Sequence, residues 1–249
     1  MSCDPVFRWT SAARSDVGLM RSRNEDAVLE QAARGLWAVA DGMGGHAFGH
    51  VASKMVTDAL ESLPQPADLE RALALTCEQL NAANDRLRTE AALRRVPVMG
   101  STVAVLLVRG AQAACLWAGD SRVYLYRKAR LQQLTRDHSQ AEELKAAGQA
   151  PGVASNLITR AAGAADTLEL DQVRLAVRDG DLFLICSDGL SNPVDEAGIA
   201  AALQTGDCQR AADTLIAAAL ANGGRDNISV VVVRADDVDA DKTMLNPAL

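Results

Sequence analysis

The chain has 249 residues, a formal net charge of -7 and a pI near 5.0. It is long enough to bury a sizeable core and too acidic to be built around nucleic-acid phosphates. Its five cysteines are widely spaced with no Cys-x-x-Cys pair, which argues against a disulfide frame or a cysteine zinc site and suits reduced core thiols.

No apolar run approaches the roughly 18 residues needed to span a bilayer, and the N-terminus lacks a signal pattern. A cytoplasmic protein is the expectation. No Pro- or Ser-rich linker divides the chain, so residues 1–235 read as one domain and the acidic segment 236–249 as a solvated tail.

In chain order, 6–14 begins a strand, and Asp16-Val17-Gly18 turns it into the charged loop Arg21-Ser22-Arg23-Asn24-Glu25-Asp26. That loop enters a strand at Ala27-Val28-Leu29. The apolar run Leu36-Trp37-Ala38-Val39-Ala40 stops on Asp41, and Gly42, Gly44 and Gly45 follow, residues that allow close backbone approach. Recurrent Val51, Met55, Val56 and Ala59 predict a helix over 46–60, ended by Pro64 and Pro66. Leu69, Leu73, Leu80 and Leu87 form the stripe of a longer helix over 67–93, and both stripes read as core faces.

Strands are predicted over 100–108, 111–118 and 122–127, with Val123 and Leu125 opposite Tyr124 and Tyr126; such neighbours argue for antiparallel sheets. The polar, turn-bounded stretch from His138 to Asn156, with a short helix over 140–147, reads as a surface flap. Strands at 168–177 and 181–187, helices at 195–203 and 207–221, and a last strand from Ile228 complete the chain.

Acids recur at strand ends: Asp41, Asp120 after Leu116-Trp117-Ala118-Gly119, Asp188 after Leu182-Phe183-Leu184-Ile185-Cys186-Ser187, and Asp226 before the last strand. Clustered carboxylates repel and resist desolvation, so a fold that gathers them needs cations. Oxygen-only ligation suits Mg2+ or Mn2+ better than zinc. The guanidinium fork of Arg21 matches two oxygens of a phosphoryl group.

Arg21-x-x-Asn24-Glu25-Asp26, Asp41-Gly42-Met43-Gly44-Gly45-His46, Gly100-Ser101-Thr102, Gly119-Asp120-Ser121-Arg122, Leu134-Thr135-x-Asp137-His138-Ser139, Cys186-Ser187-Asp188-Gly189-Leu190 and Asp226-Asn227-Ile228-Ser229 together resemble the ordered motif set of the metal-dependent protein Ser/Thr phosphatases of the PPM, or 2C, type, in their compact bacterial form. The resemblance implies an α+β fold, a four-layer α-β-β-α sandwich of two mainly antiparallel sheets flanked by helix pairs. It also implies two, and with a third site three, Mn2+ or Mg2+ ions at the sheet edge, and direct attack on phosphorus by a hydroxide held between two of them.

Position by position, Asp41 would bridge two metals, Gly42 would lend its carbonyl, and Asp188 and Asp226 would complete the direct ligands. Glu25 and Asp26 would hold metal-associated water, Asp120 a third metal, and Arg21 the substrate phosphate. Met43 stands where eukaryotic relatives carry a proposed His general acid, which leaves that acid unassigned, a metal-held water being a better candidate than His46. His138 reads as a structural turn residue. The implied partners are phosphorylated Ser/Thr proteins and a cognate Ser/Thr kinase, with the enzyme a monomer.

Rival chemistries fail on spacing. No Cys has an Arg six positions on, as a cysteine phosphatase needs, and there is no Gly-x-x-x-x-Gly-Lys-Ser/Thr loop. Asp239-x-Asp241-x-Thr243 matches an aspartyl-phosphate motif, but no chain remains after it to build the fold. The alternative of another class is a non-catalytic, phosphatase-like domain that binds phosphoproteins.

Overall fold

Strands β10 (Leu182–Cys186) and β11 (Ile228–Asp237) begin as runs of wholly buried residues, and a strand buried on both faces must lie between two layers. The computed structural model, which describes residues 6–43, 48–148 and 157–238, supplies both. One sheet has the order β1-β11-β10-β7-β8, with β1 at Phe7–Asp16, β7 at Arg122–Arg127 and β8 at Arg130–Gln133. The other has the path β2-β3-β5-β6-β9, with β2 at Asp26–Gln31, β3 at Leu36–Met43, β5 at Val103–Arg109, β6 at Gln112–Ala118 and β9 at Asp171–Ala176; the short β4 (Gly100–Ser101) pairs with the end of β3. Every pairing is antiparallel.

Between the sheets lies an apolar layer that includes Trp37, Val39, Leu106, Phe183, Ile185, Val231 and Val233. On the outer face of the second sheet, α1 (Gly49–Glu61) and α2 (Leu69–Arg94) bury Val56, Leu60, Leu73, Leu80 and Leu87 against it. On the outer face of the first, α5 (Glu196–Leu203) and α6 (Cys208–Ala221) bury Ile199, Leu203 and Leu215. The result is the expected α-β-β-α sandwich. Tyr124 packs on the helix side of β7, and Val123 and Leu125 face the inter-sheet layer, as the alternation requires.

Several boundaries differ from expectation. The strand predicted over 100–108 is broken at Thr102, whose backbone N–H turns to the Asp41 carbonyl at 2.9 Å. The first helix begins at Gly49, and His46, Gly44 and Gly45 lie outside the described residues. Asp236 and Asp237, read as the start of a solvated tail, are the last residues of β11 and pair with Arg8 and Phe7; residues 239–249 lie outside the described residues. Of the predicted flap, α3 (Gln140–Ala146) is helical and 149–156 is not described. Strand β8 and a single 3-10 turn at Ala32–Arg34 were not expected. Cys77, Cys115, Cys186 and Cys208 are unpaired, the last three buried. No helix of the described residues is long and apolar enough to cross a membrane.

Candidate metal and phosphate site

The antiparallel register of β2 and β3 sets Asp26 directly opposite Asp41, an arrangement that like charges destabilise. Strand β10 ends just before Ser187 and Asp188, the latter opening the short α4 (Asp188–Ser191). Its antiparallel neighbour β11 starts just after Asp226 and Asn227, at the same end of the other sheet. Asp120 lies on the connection from β6 to β7, which crosses between the sheets.

Cross-sheet hydrogen bonds close this end. Ser187 Oγ donates to Asp26 Oδ2 at 2.8 Å, and the Glu25 N–H donates to Asn227 Oδ1 at 2.8 Å. Asn227 Nδ2 in turn donates to the Val17 and Arg23 carbonyls. Arg21 Nη2 donates to Asp226 Oδ2 at 2.8 Å. The eight residues singled out from the sequence, Arg21, Glu25, Asp26, Asp41, Gly42, Asp120, Asp188 and Asp226, all stand at this one end of the sandwich.

Tight backbone packing fixes the acids. A Cβ on Gly42 would sit 2.0 Å from the Gly49 carbonyl oxygen and 2.6 Å from that of Glu25, and a Cβ on Gly49 would sit 2.6 Å from the Gly42 oxygen. The start of α1 therefore rests on the Gly42 backbone, with the Gly42 N–H bonded to the Glu25 carbonyl. The Asp41 N–H donates to Thr102 Oγ1 at 3.0 Å, and Thr102 Oγ1 bonds Ser121 Oγ at 2.8 Å. Gly119, at φ +110, leaves no room for a Cβ, which would meet Thr102 Cγ2 at 2.6 Å. The Gly119 N–H donates to His138 Nδ1 at 3.2 Å, so the buried imidazole anchors the residue before Asp120. Arg122 grips Asp137 bidentately, Nε to Oδ1 at 2.9 Å and Nη2 to Oδ2 at 2.6 Å.

The electrostatics are those of crowded acids. Burial, with help from Asp188 and Asp226, lifts the Asp26 carboxyl to about 7 against two restraining serine hydroxyls. Burial and then Asp188 and Asp137 lift Asp120 to about 7. Asp41 is pushed well up by burial and by Asp26, Asp188, Asp120 and Asp226, and Asp188 upward by burial and Asp226. Buried oxygens of Glu25 (Oε1), Asp26, Asp120 and Asp188 (each Oδ1) have no hydrogen-bond partner among the described residues.

Unsatisfied buried acceptors are costly, and a hard divalent cation satisfies acceptor-only groups. Among the described residues no three His, Cys, Asp or Glu side chains form a ready-made ligand cage. A cation here therefore needs carbonyl and water oxygens beside its carboxylates, the mixed oxygen set that Mg2+ and Mn2+ accept. The residues present fit such ions.

Roles that the sequence did not disclose fall to Ser187, Ser229, Asn227, Thr102, Gly49 and Gly189. Ser187 Oγ also accepts from the Ser229 N–H at 3.0 Å, and a Cβ on Gly189 would lie 1.8 Å from the Asn227 carbonyl oxygen. Several of these residues lie inside the quoted motifs, but their contacts arise only when the two sheets meet.

An α-β-β-α sandwich with unpartnered buried carboxylate oxygens at one end defines a protein whose donor set there suits divalent cations. A family model described as protein phosphatase 2C matches residues 20–222, and the chain belongs to that family. The serine/threonine protein phosphatase PstP of Mycobacterium tuberculosis is 39% identical over 245 residues, covering 96% of this chain and 47% of that protein. The chain thus spans about half the length of this relative. The structure of PppA, described as a key regulatory component of T6SS in Pseudomonas aeruginosa, superposes with a TM-score of 0.89 at 43% identity, covering 92% of this chain and 99% of that one. The catalytic domain of PstP in complex with two manganese ions gives a TM-score of 0.84 at 38% identity, covering 93% of this chain and all of that one (100%).

Proposed function

We propose that this chain is a metal-dependent protein serine/threonine phosphatase that hydrolyses phosphoserine and phosphothreonine and opposes a Ser/Thr kinase in the cytoplasm. The observation that carries this reading is the set of unpartnered buried oxygens on Glu25, Asp26, Asp120 and Asp188, at the end of the sandwich where Arg21 stands beside Asp226.

Asp41, Asp188, Asp226 and the Gly42 carbonyl would hold two Mn2+ or Mg2+ ions, Glu25 and Asp26 would act through intervening water, and Asp120 would serve a third ion. When bound, such ions supply Lewis acidity toward water and toward phosphoryl oxygens. The chain does the positioning. Asp26 is fixed by the Ser187 hydroxyl, Asp41 by Thr102, and Asp120 by the Gly119–His138 contact. Arg21 uses one guanidinium nitrogen on Asp226 and has others left to orient a phosphoryl group. Met43 has no proton to give to the leaving alkoxide.

The catalytic domain in this reading, expected to end at residue 235, extends to the end of β11 at Asp237 and acts as a monomer, and the flap over about 138–156 adjusts substrate choice. Hydrolysis of p-nitrophenyl phosphate and of a phosphothreonine peptide, with Mn2+ and with EDTA, tests the proposal. Turnover that needs the metal and is lost in Asp41→Ala and Asp188→Ala is expected. An inert protein that still binds phosphopeptides would mean a non-catalytic binding domain instead.

A further inference from the structure

Beside the acid cluster lies a cavity of about 600 Å³ with Asp188 and Asp226 on its wall and Asn192, Pro193, Asn222 and Arg225 around them. Both amides are engaged: Asn192 Nδ2 donates to Asp188 Oδ2 at 3.1 Å and Asn222 Nδ2 to the Pro193 carbonyl at 2.8 Å. Arg225 is not. It is exposed, and among the described residues it makes no hydrogen bond or ion pair, although two carboxylates line the same cavity.

Its backbone, by contrast, is held. The Gly223 and Gly224 N–H groups bond back to the Leu220 and Ala219 carbonyls at the end of α6, and the Leu19 N–H donates to the Gly224 carbonyl at 2.7 Å. That last bond ties the loop carrying Arg21 to the loop carrying Arg225. The closeness depends on Gly18, where a Cβ would lie 2.2 Å from the Asp226 oxygen and 2.8 Å from the Gly224 oxygen. Two cations are thus presented on adjoining loops, Arg21 engaged with Asp226 and Arg225 open to the cavity.

We infer that Arg225 is a specificity residue that binds a second anionic group of the substrate, a carboxylate or a further phosphate, close to the phosphoester being hydrolysed. The inference rests on the phosphatase reading and deepens it. A free guanidinium is a fork for planar or tetrahedral oxyanions, and the acids nearby repel such a group unless a cation receives it. An extended peptide advances about 3.3–3.6 Å per residue, so a cavity adjoining Asp226 takes side chains within about two positions of the phosphoserine.

The test compares phosphoserine peptides identical except for Glu, Gln, Lys or a second phosphoserine two positions to either side. For the native chain with Mn2+, kcat/KM on the Glu peptide is expected to exceed that on the Gln peptide about three- to fivefold, the weight of a partly exposed ion pair, and added salt is expected to shrink the ratio. Arg225→Glu should invert it, favouring Lys over Glu. Ratios cancel any general loss of turnover caused by a change next to Asp226. Equilibrium binding of the matching peptides carrying a non-hydrolysable phosphonate reads the same preference without turnover.

Preference for the second phosphate with Glu and Gln alike still supports the site and makes phosphate its ligand. Equal rates on all four peptides, or a preference that survives Arg225→Glu, overturn the inference. Hydrolysis of p-nitrophenyl phosphate by the native chain separates the two levels. If it occurs while the peptide ratios are flat, only the Arg225 assignment fails; if it is absent with Mn2+, the phosphatase reading fails.

Discussion

Asp26 faces Asp41 across the β2–β3 ladder, two carboxylates held side by side by main-chain pairing with no lysine or arginine hydrogen-bonded to either among the described residues. The fold places them together against their mutual repulsion, and their protonation registers the cost. Both have pKa values raised by burial, Asp26 to about 7.

That elevation sets a pH dependence. Asp26 and Asp120, at about 7 in the fold against an ordinary 3.8, retain protons that the unfolded chain has released, so the native state binds more protons between about pH 4 and pH 7. Stability of the metal-free protein therefore falls as pH rises through that window. Thermal melts in EDTA should give a lower Tm near pH 8 than near pH 5.5, and Mn2+ should raise Tm more at the higher pH, where the acids are ionised. A metal-free Tm that climbs across the window would contradict this.

Arg21→Ala removes a charge-assisted donor with nitrogens to spare for a phosphoryl group. A loss of about 10- to 100-fold in kcat/KM is expected, the worth of a charged hydrogen bond of about 1.5–3 kcal/mol. Because the same change releases Asp226, Mn2+ affinity measured by calorimetry should hold or tighten. Equal losses in both quantities would instead make Arg21 a support for the metal ligands.

Gly49→Ala drives a methyl into the Gly42 carbonyl, 2.6 Å away, and the Glu25 carboxyl carbon, 2.7 Å away. A stability loss of about 1–3 kcal/mol is expected from such overpacking, together with weaker Mn2+ binding as Gly42 and Glu25 shift. Gly198→Ala is the control: it lies in α5, where a Cβ meets only side-chain atoms, at 3.0 Å or more, and its urea midpoint should move far less. Indistinguishable Mn2+ titrations for Gly49→Ala and the native chain would count against the packing argument.

Ser187→Ala takes the hydroxyl from Asp26 Oδ2 and the acceptor from the Ser229 N–H. Two groups lose partners, so about 1–3 kcal/mol of stability should go. The Asp26 carboxyl should also titrate higher, because a hydroxyl that holds its charged form is gone. Carboxyl-carbon NMR of metal-free protein measures that shift directly.

The acids were legible in the sequence because each sits at an abrupt local change: Asp41 and Asp188 between a buried run and a glycine, Asp120 just past the end of such a run, and Asp226 just before one. What they touch was not legible. The pairing of Asp26 with Asp41 depends on strand register, and the serine contacts depend on one sheet end meeting another. Strand β8 was missed because Arg130-Leu131-Gln132-Gln133 is a short, mostly polar edge segment with little of the apolar alternation that marks an inner strand. The break at Thr102 was missed for a related reason: a threonine inside an apolar run reads as strand until Asp41 captures its amide and hydroxyl. Arg225 gave no signal, since an exposed arginine in a glycine turn looks like any solvated charge.

The acid set straddles the sandwich: Asp26 and Asp41 belong to one sheet, Asp188 and Asp226 to the ends of strands in the other. The gap between the two pairs is therefore gauged by the filling of Trp37, Leu106, Phe183, Ile185 and their neighbours. Swelling or thinning that filling would open or close the jaws of the site, so the affinity of its acids for a divalent cation would act as a caliper for the thickness of the interior.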